Sequence, residues 1–578
     1  MARHFTDGGA WLLKACYFPC PLRKSEVWIL MRVFEKVAET LVELGVKQVF
    51  GVIGSGNYDI TKALIERGAD YVAARHEGGA ASMADAFARI GDSVPAISLH
   101  QGCGLTNAIT GITEAAKSGS PMLILAAEVA ASAIHSNFRI GQDRLVESVG
   151  AASFRITAET AARDIALAYR TAVTKRIPVL VNLPLDVQAA ETTEQYVPVL
   201  TEHAVLADAA APAAEDVARL ADLIERAERP VVLAGRGGRG AGLELRELAE
   251  VSGALLATSA VARGLFNDDP FYLDISGGFS TPLAARSIQA ADLILSFGSA
   301  LNMWTMRHGT LIGPGATVVQ IDVDPLAPGK HRPVDLGILG DAALTAAAVT
   351  AELRGRGLSR IGYRTEEMGA AIKREGRWQD VPFDDRSTAE RIDPRTLTIV
   401  LDGMLDKERV IAVDSGNFLG YPSAFLDIPD ENGLVFSQAF QCVGLGLASA
   451  IGAAYAQPDR LPVCGTGDGG ALMAAAEMES VVRLGIPMVV IVYNDSAYGA
   501  EVHHFGESDQ DLGLITFPDT DFAAIARGYG FTAATVRTAA DLEPVRDWLA
   551  GPRNTPLLID AKIVSFGSWW LEEAFKGH

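Results

Sequence analysis

The chain has 578 residues, too many for one domain and enough for three or four. It carries 50 Lys and Arg against 71 Asp and Glu, and the resulting net charge of −21 argues against nucleic acid or an anionic membrane as partner. Apolar residues make up 49% of the chain, yet no uninterrupted apolar run reaches the roughly 20 residues that would cross a membrane.

The cysteines indicate a reducing compartment, and we therefore expect a cytoplasmic protein. They are odd in number and lie mostly in apolar or glycine-rich stretches: Cys16, Cys20, Cys103, Cys442 and Cys464. Cys16 and Cys20 have the spacing of half a metal site, but no second pair follows them.

Residues 1–30 differ from the rest of the chain. They show no clear period, and Lys14 and two prolines interrupt their apolar part, so they make a poor signal peptide. A clean amphipathic helix begins after Met31. We predict an N-terminal extension over 1–30 and expect Met31 to lie near the natural start of the fold, as a candidate initiator.

Three blocks of alternating strands and helices follow, and they predict an α/β fold of three doubly wound parallel-sheet domains. The first block spans 31–190, the second 215–352 and the third 394–578. We predict linkers between them, an Ala/Glu/Thr-rich one at 191–214 and a charged one at 353–393.

In the first block, Glu77 directly follows the strand DYVAA and precedes an Ala-rich helix, within ARHEGGAASMADAFAR. A helix dipole favours a carboxylate at its first turn, so structure alone would explain this residue. A catalytic role depends on what the third block contains.

The third block contains a βαβ unit with two polar residues at its strand ends. LPVCG (461–465) and PMVVIVY (487–493) are predicted buried strands, and Ala471–Leu484 is a predicted helix between them. The strands should be parallel, so Asp468 and Asn494 should leave the same carboxyl edge, where such sheets bind ligands.

The chemistry of this edge suits a metal-bound phosphate. Asp and Asn offer hard oxygens, which Mg²⁺ or Ca²⁺ prefers over Zn²⁺. Gly467, Gly469 and Gly470 leave backbone N–H groups open to an anion. The alternative is a tight strand-to-helix turn in which Asp468 only caps the helix.

The pattern Gly467-Asp468-Gly469, followed at some distance by Asn494, resembles the signature of the thiamine-diphosphate-dependent enzymes. The resemblance implies that Asp468, Asn494 and the backbone carbonyl of Ser496 hold Mg²⁺ bound to the cofactor diphosphate. Asp495 stands where the family often has a second Asn.

The resemblance extends over nearly the whole chain. Residues 99–128 echo residues 465–495, each with a Gly-rich turn, an Ala/Glu helix and an apolar strand. This arrangement is similar to the family's pyrimidine-binding, central and diphosphate-binding domains. It implies that Glu77 hydrogen-bonds N1′ of the aminopyrimidine and that each site is shared by two subunits. We therefore expect at least a homodimer, with a tetramer favoured.

Further cofactor contacts are implied by the same resemblance. In FQCVGLGLASAIGAA, Val443 has the place of the apolar wedge under the cofactor, although plain core packing would also explain it, and the backbone of Gln441 would meet the pyrimidine. VDSGN resembles the loop that closes over the diphosphate. The remaining candidates are Gly416, Asn417, Ile53, Gly54 and Tyr498.

Within the family, FGVIGSGNYDI and QGCGLTNAITGITEA resemble the large subunit of acetolactate synthase. Gln142 matches a Gln that approaches substrate, and four more side chains could reach the reacting carbon or be merely packed or exposed: His100, Gln101, His503 and His504. Residues 296–309 lack the charged run expected of an FAD site, so FAD is not favoured, although LAGRGGRGAG could accept a nucleotide phosphate.

These features predict a carboligase that decarboxylates a pyruvate-like 2-oxo acid and transfers the acyl unit to a second carbonyl. The alternatives are a simple 2-oxo-acid decarboxylase, a C–C bond hydrolase acting on a diketone, and a non-catalytic regulatory homologue. Together, Glu77, Asp468 and Asn494 argue against the last.

Overall fold

A computed structural model describes residues 31–194, 210–506 and 512–570. The predicted N-terminal extension, with Cys16 and Cys20, and most of the first predicted linker lie outside the described residues. Among the described residues, no helix is long and apolar enough to cross a membrane.

The first domain is a six-stranded parallel sheet in the order β3-β2-β4-β5-β7-β6, with a small antiparallel pair of β1 and β8 beside it. Its strands are β1 (Met31–Arg32), β2 (Gln48–Gly51), β3 (Asp70–Ala73), β4 (Ala96–Leu99), β5 (Met122–Glu128), β6 (Ala152–Arg155), β7 (Pro178–Pro184) and β8 (Glu191–Thr192). Its helices are α1 (Val33–Glu43), α2 (Tyr58–Glu66), α3 (Glu77–Ile90), α4 (Cys103–Ser118), α5 (Gln142–Glu147), α6 (Ala161–Lys175) and α7 (Leu185–Ala189).

The central domain is a parallel sheet in the order β11-β10-β9-β12-β13-β14, the doubly wound order of nucleotide-binding sheets. Its strands are β9 (Pro230–Ala234), β10 (Leu255–Thr258), β11 (Tyr272–Ile275), β12 (Leu293–Phe297), β13 (Thr317–Asp322) and β14 (Leu336–Leu339). Its helices are α8 (Ala214–Arg226), α9 (Gly242–Ser252), α10 (Pro282–Gln289), α11 (Met303–Met306), α12 (Ala342–Gly355) and α13 (Glu366–Glu375).

The third domain repeats the strand order of the first, as β16-β15-β17-β18-β20-β19. Its strands are β15 (Arg409–Val413), β16 (Leu434–Phe436), β17 (Leu461–Gly467), β18 (Val489–Asn494), β19 (Thr532–Val536) and β20 (Leu557–Lys562). Its helices are α14 (Pro394–Met404), α15 (Gly420–Phe425), α16 (Gly446–Ala456), α17 (Asp468–Met473), α18 (Ala476–Arg483), α19 (Gly499–Phe505), α20 (Phe522–Tyr529) and α21 (Glu543–Ala550).

The predicted fold class is confirmed, with two local corrections. The charged segment predicted as a linker at 353–393 contains α13, whose buried Ile372 packs on the central domain. The single helix predicted over Ala471–Leu484 is two short helices, α17 and α18.

The internal echo in the sequence lies at equivalent places in the two outer sheets. Strands β4 and β5 are the central neighbours of the first sheet, as β17 and β18 are of the third. One apolar core joins the two domains, because α3 packs directly on α16. Gly452 permits this approach, since a Cβ there would overlap the backbone of Met83.

Candidate active site

The end of β17 and the end of β18 meet at the carboxyl edge of the third sheet. Gly467 is in register with Tyr493, so Asp468, which follows β17, and Asn494, which ends β18, are neighbours across the strands. Ser496 turns the chain back with a φ of 61°, a left-handed conformation unusual for a residue with a side chain. The structure therefore brings together the three predicted metal ligands.

Two buried carboxylates lie close enough at this edge to repel each other when both are ionised. Burial raises the pKa of Asp468 to about 6. Burial, followed by the charge of Asp468, raises the pKa of Asp495 to about 7. Neither has an ion-pair partner among the described residues, so a divalent cation would relieve their repulsion. The pair of buried carboxylates therefore fits a bound Mg²⁺.

Asn494 is held in one orientation by its neighbours. Its amide nitrogen donates to Asp560 Oδ1 at 3.0 Å and to the Thr520 carbonyl at 3.3 Å. Asp560 is itself paired with Lys562 at 3.0 Å. The amide oxygen of Asn494 is thereby left to the Ser496 turn, where it accepts the Ser496 N–H at 3.1 Å.

The carbonyl of Ser496, predicted as the third ligand, already accepts the N–H of Phe517 at 2.8 Å. A carbonyl oxygen has two lone pairs, so one remains for a metal. Arg391 supports this turn from the segment before α14, donating to the Asn494 carbonyl at 3.1 Å and to Ser496 Oγ at 3.3 Å.

The glycines after β17 make room that a side chain would fill. A Cβ on Gly469 would lie 2.8 Å from the ring of Tyr498, and one on Gly470 would overlap the carboxylate of Asp414. Tyr498 is 41% exposed and packs edge-on against Phe517. The open backbone beside Asp468 fits a diphosphate.

Asp414, which the sequence reasoning did not single out, organises the turn that carries Val443. Its carboxylate accepts the N–H groups of Gly444 at 2.9 Å and Leu445 at 3.2 Å, and the hydroxyl of Thr466 at 3.1 Å. Burial raises the pKa of Asp414 to about 6 despite these donors. Val443 itself is 36% exposed and therefore is not plain core. A buried Asp directly after strand β15 is the signal that could have revealed Asp414.

The loop at Gly416 and Asn417 lies at the same edge. Gly416 has a φ of 146°, and Gln441, next to Cys442, has a φ of 59°. The Asn417 side chain, a predicted cofactor contact, is used internally: it donates to the Phe566 carbonyl at 3.1 Å and accepts from Ser568 Oγ at 2.9 Å. The Asn417 carbonyl is used as well, accepting from Trp570 Nε1 at 2.9 Å and from Ser568 Oγ at 3.2 Å, so among the described residues only its backbone N–H is left for a ligand.

In the first domain, Glu77 begins α3 at the carboxyl edge of the equivalent sheet. Its Oε2 accepts from Asn107 Nδ2 at 3.0 Å. Its Oε1 faces the first turn of α4, where a Cβ on Gly104 would lie 3.5 Å away. His100 is close by, with its Nδ1 3.8 Å from Cys103 Sγ and its ring against Phe138. Gly54 packs on the His100 ring, and Ile53 is 43% exposed.

The two predicted glutamines differ in their environment. Gln101 is buried, and its Oε1 has no hydrogen-bond partner. The prediction that Gln142 approaches substrate is not met by the structure, because its side-chain amide is hydrogen-bonded within the first domain. It accepts the Gly102 N–H at 2.9 Å and donates to Asn182 Oδ1 at 2.7 Å and to the Ala127 carbonyl at 3.2 Å. In this conformation it has no free group for a substrate.

The predicted histidines His503 and His504 both lie on α19, beyond Tyr498. His503 lies 3.2 Å from Ser565 Oγ through Nε2, and burial lowers its pKa. His504 packs against the ring of Phe505. Neither contact places these side chains against Glu77.

A cavity of about 580 Å³ joins the central domain to the Val443 turn. It opens at the carboxyl ends of β9, β12 and β13, and its wall includes Arg236. Desolvation, together with the positive charges of the neighbouring Arg89 and Arg176, lowers the pKa of Arg236 to about 9. Glu501, which sequence reasoning missed, also lines it, with a buried Oε2 that has no partner. A cavity of this size admits a nucleotide, so the expected lack of FAD rests on residues 296–309 alone and stays a prediction.

Three family models match the chain in the order of its three sheets. They are the N-terminal thiamine pyrophosphate binding domain over residues 31–148, the central domain over 217–349 and the C-terminal thiamine pyrophosphate binding domain over 414–561. The chain therefore belongs to the thiamine pyrophosphate enzyme family.

Relatives that align over about nine tenths of the chain support this family assignment. The chain is 27% identical over 556 residues to a probable acetolactate synthase large subunit of Methanocaldococcus jannaschii, covering 92% of each chain. It is 24% identical to a putative thiamine pyrophosphate-containing protein, YdaP, of Bacillus subtilis, covering 92% of this chain and 91% of the relative. It is 27% identical to the acetolactate synthase isozyme 3 large subunit of Escherichia coli, covering 88% and 90%.

Proposed function

We propose that the protein is a carboligase that uses thiamine diphosphate and Mg²⁺, decarboxylates a pyruvate-like 2-oxo acid and transfers the acyl unit to a second carbonyl. The observation that carries this proposal is the meeting of Asp468 and Asn494 at one sheet edge, beside the second buried carboxylate, Asp495. The acetolactate synthases among its relatives support the choice of reaction.

The residues at this edge would divide the work of binding. The side chains of Asp468 and Asn494 and the carbonyl of Ser496 would hold Mg²⁺, which needs few protein ligands because phosphate and water complete its shell. The backbone from Gly467 to Gly470 would hold the diphosphate. When bound, thiamine diphosphate would supply a carbon nucleophile and an electron sink.

Other residues would act on the organic part of the cofactor. Glu77 would hold and exchange a proton at N1′ of the aminopyrimidine through its carboxyl group, the function of a general acid–base. Val443 would support the two rings from below, on a turn fixed by Asp414. The apolar part of the cavity beside Val443 would exclude water from the reacting carbon.

We also propose a homodimer in which each site takes Glu77 from one subunit and the metal edge from the other, with a tetramer as the fuller assembly. The cavity beside Val443 is lined by Arg89, Lys117 and Ser118 of the same chain's first domain but not by Glu77. Large apolar side chains stand exposed near both edges: Ile134 (62%), Phe138 (44%), Leu472 (51%) and Met473 (60%). A partner would cover them.

Mixing two inactive variants tests the shared site. If Glu77→Gln and Asp468→Ala subunits are reassociated at equal amounts, half of the dimers are mixed and each has one intact site, so about a quarter of wild-type activity should return. Two different affinity tags, one on each variant, allow the mixed dimers to be purified, and no activity in those dimers would contradict the proposal.

The reaction is tested by incubating the protein with thiamine diphosphate, Mg²⁺ and a panel of 2-oxo acids, alone or with a second carbonyl, and identifying the products by NMR. A product with a new C–C bond supports the carboligase, and the Asp468→Ala variant is the control. Release of free aldehyde alone would indicate a decarboxylase. Cleavage of an added diketone would indicate a hydrolase, and bound cofactor without turnover would indicate a regulatory homologue.

A further inference from the structure

A helix of the third domain holds the backbone that leads into Glu77. Glu477, on α18, points into the turn between β3 and α3 of the first domain. Its Oε1 accepts the backbone N–H groups of Arg75 and His76, both at 3.0 Å. These are the two residues immediately before Glu77, so the contact lies directly upstream of the proposed catalytic carboxyl.

The Glu477 side chain is buried, and both of its oxygens accept hydrogen bonds. Glu477 is 3% exposed, and its Oε2 accepts from Ser480 Oγ at 2.6 Å. Burial raises the pKa of Glu477. On the other side, Gly79 leaves room for the carboxylate, since a Cβ there would overlap Glu477 Oε1.

Further hydrogen bonds hold the rest of the turn. From the third domain, Arg483, the last residue of α18, also donates to the Ala73 carbonyl at 2.6 Å. The N–H of Ala74 bonds within the first sheet, to the Gly51 carbonyl at 2.9 Å. The His76 side chain caps α3 by accepting the Gly78 N–H at 3.0 Å. The turn before α3 is thus held from both domains, by Glu477 and Arg483 of the third and by Gly51 and the His76 cap of the first.

We propose that Glu477 is a positioning residue for Glu77, an inference that rests on the proposed role of Glu77 at the cofactor. Glu477 fixes the two peptide groups before Glu77, and Asn107 fixes its carboxyl end at 3.0 Å. Removing the acceptor leaves two part-buried N–H groups without their protein partner, so the turn must shift to satisfy them. A shift of about 1 Å at a reacting group can lower a rate by about 100-fold.

A matched control lies two residues away. Glu479, on the same helix, joins the same turn through Arg75 Nε at 2.6 Å. That pair links only side chains and is largely solvent-exposed, at 51% for Arg75 and 32% for Glu479. Loss of Glu479 should therefore weaken the domain contact slightly and leave the backbone before Glu77 in place.

Four variants separate positioning from general stability: Glu477→Ala, Glu477→Gln, Glu479→Ala and Gly79→Ala. For each, the readouts are the C2 proton–deuterium exchange rate of bound thiamine diphosphate with Mg²⁺, the Kd for the cofactor, and Tm. We expect Glu477→Ala to slow exchange by about 10- to 100-fold with a nearly unchanged Kd. Glu477→Gln keeps an acceptor oxygen and should stay within about threefold of wild type, as should Glu479→Ala.

Gly79→Ala approaches the same contact from the other side. Ala is a better helix former than Gly, so without the contact this change would stabilise α3 and raise Tm. We expect slower exchange instead, because the methyl group displaces Glu477. Gly79→Ala also tests the positioning role of Glu477 if the Glu477→Ala variant does not fold.

Three results would overturn the proposal. They are wild-type exchange in folded Glu477→Ala, wild-type exchange in Gly79→Ala, or a loss in Glu477→Gln as large as in Glu477→Ala. Failure of the proposed function is distinguishable, because then Glu77→Gln itself would exchange at the wild-type rate.

Discussion

The carboxylate of Asp414 lies 2.9 Å from the backbone nitrogen of Gly444, which ties the end of β15 to the turn that presents Val443. The same carboxylate accepts hydrogen bonds from the Leu445 N–H and the Thr466 hydroxyl, so it joins the ends of β15 and β17 to that turn.

Asp414→Ala should therefore destabilise the third domain and loosen the Val443 turn. Three backbone N–H groups, of Ser415, Gly444 and Leu445, and one hydroxyl would lose their acceptor, a loss of about 2–4 kcal/mol. The measurements are Tm and the cofactor Kd, both of which should worsen. Asp459→Ala, an exposed change in the same domain, is the control. An unchanged Tm in Asp414→Ala would contradict the assignment.

The raised pKa of Asp414 predicts a pH dependence. Its pKa rises from 3.8 in the unfolded chain to about 6 in the folded one, so the folded state binds the proton more tightly. The contribution of Asp414 to the free energy of unfolding should then fall as pH rises from about 4 to about 6, by roughly 3 kcal/mol at most.

Asp414→Asn isolates this effect, because it keeps the size and one acceptor oxygen but does not titrate. The Tm of the variant minus that of wild type should increase from pH 4 to pH 7. A difference that is flat or falls over this range would show that Asp414 is ionised throughout.

Asp468→Ala should abolish cofactor binding. Without this ligand the diphosphate would face the protein with no bridging cation, because the two ligands that remain, Asn494 and the Ser496 carbonyl, carry no charge. Calorimetry with thiamine diphosphate in the presence of Mg²⁺ measures the loss, with Asp459→Ala as the matched control. Tight binding by the Asp468 variant would refute the metal assignment.

Glu77→Gln should separate catalysis from binding. The amide keeps the size and one hydrogen-bonding oxygen but cannot exchange a proton with N1′. Cofactor affinity should fall modestly, since the metal edge is intact, while C2 proton exchange should fall by about 10²–10⁴-fold. Exchange at the wild-type rate, followed by NMR on the bound cofactor, would leave Glu77 as a helix-start carboxylate only.

Purified protein should lack yellow flavin absorbance, because residues 296–309 (SFGSALNMWTMRHG) do not have the charged run expected for FAD. The cavity beside Arg236 makes this a demanding test, since it has room for a nucleotide. The absorbance spectrum of the supernatant after denaturation is the measurement, and a stoichiometric flavin spectrum would show the prediction to be wrong.

The fold and the metal edge could be predicted because their determinants are close in the chain. Apolar runs alternating with Ala-rich segments dictate parallel sheets. Asp468 and Asn494 end successive strands of one βαβ unit, so topology alone makes them neighbours. The residue types then limit which metal ion can bind, since Asp and Asn side chains provide only hard oxygen ligands.

Side-chain roles that depend on distant neighbours could not be predicted in this way. Gln142 has the residue type expected of a substrate contact, yet Asn182, 40 positions further on, draws it inward. Asp560 orients Asn494 from 66 positions away, and no pattern near either residue indicates it.

The sequence by itself determined the three sheets, the glycine turn and the pairing of Asp468 with Asn494, because hydrophobic period and strand order act over short stretches of chain. Only the tertiary structure decided that Glu477 accepts the N–H of His76, 401 positions away in the sequence, and that Asp414 accepts the N–H of Gly444, 30 positions away. Such contacts form when separate domains pack and buried polar groups must find partners, and the partner is set by spatial proximity rather than by local pattern.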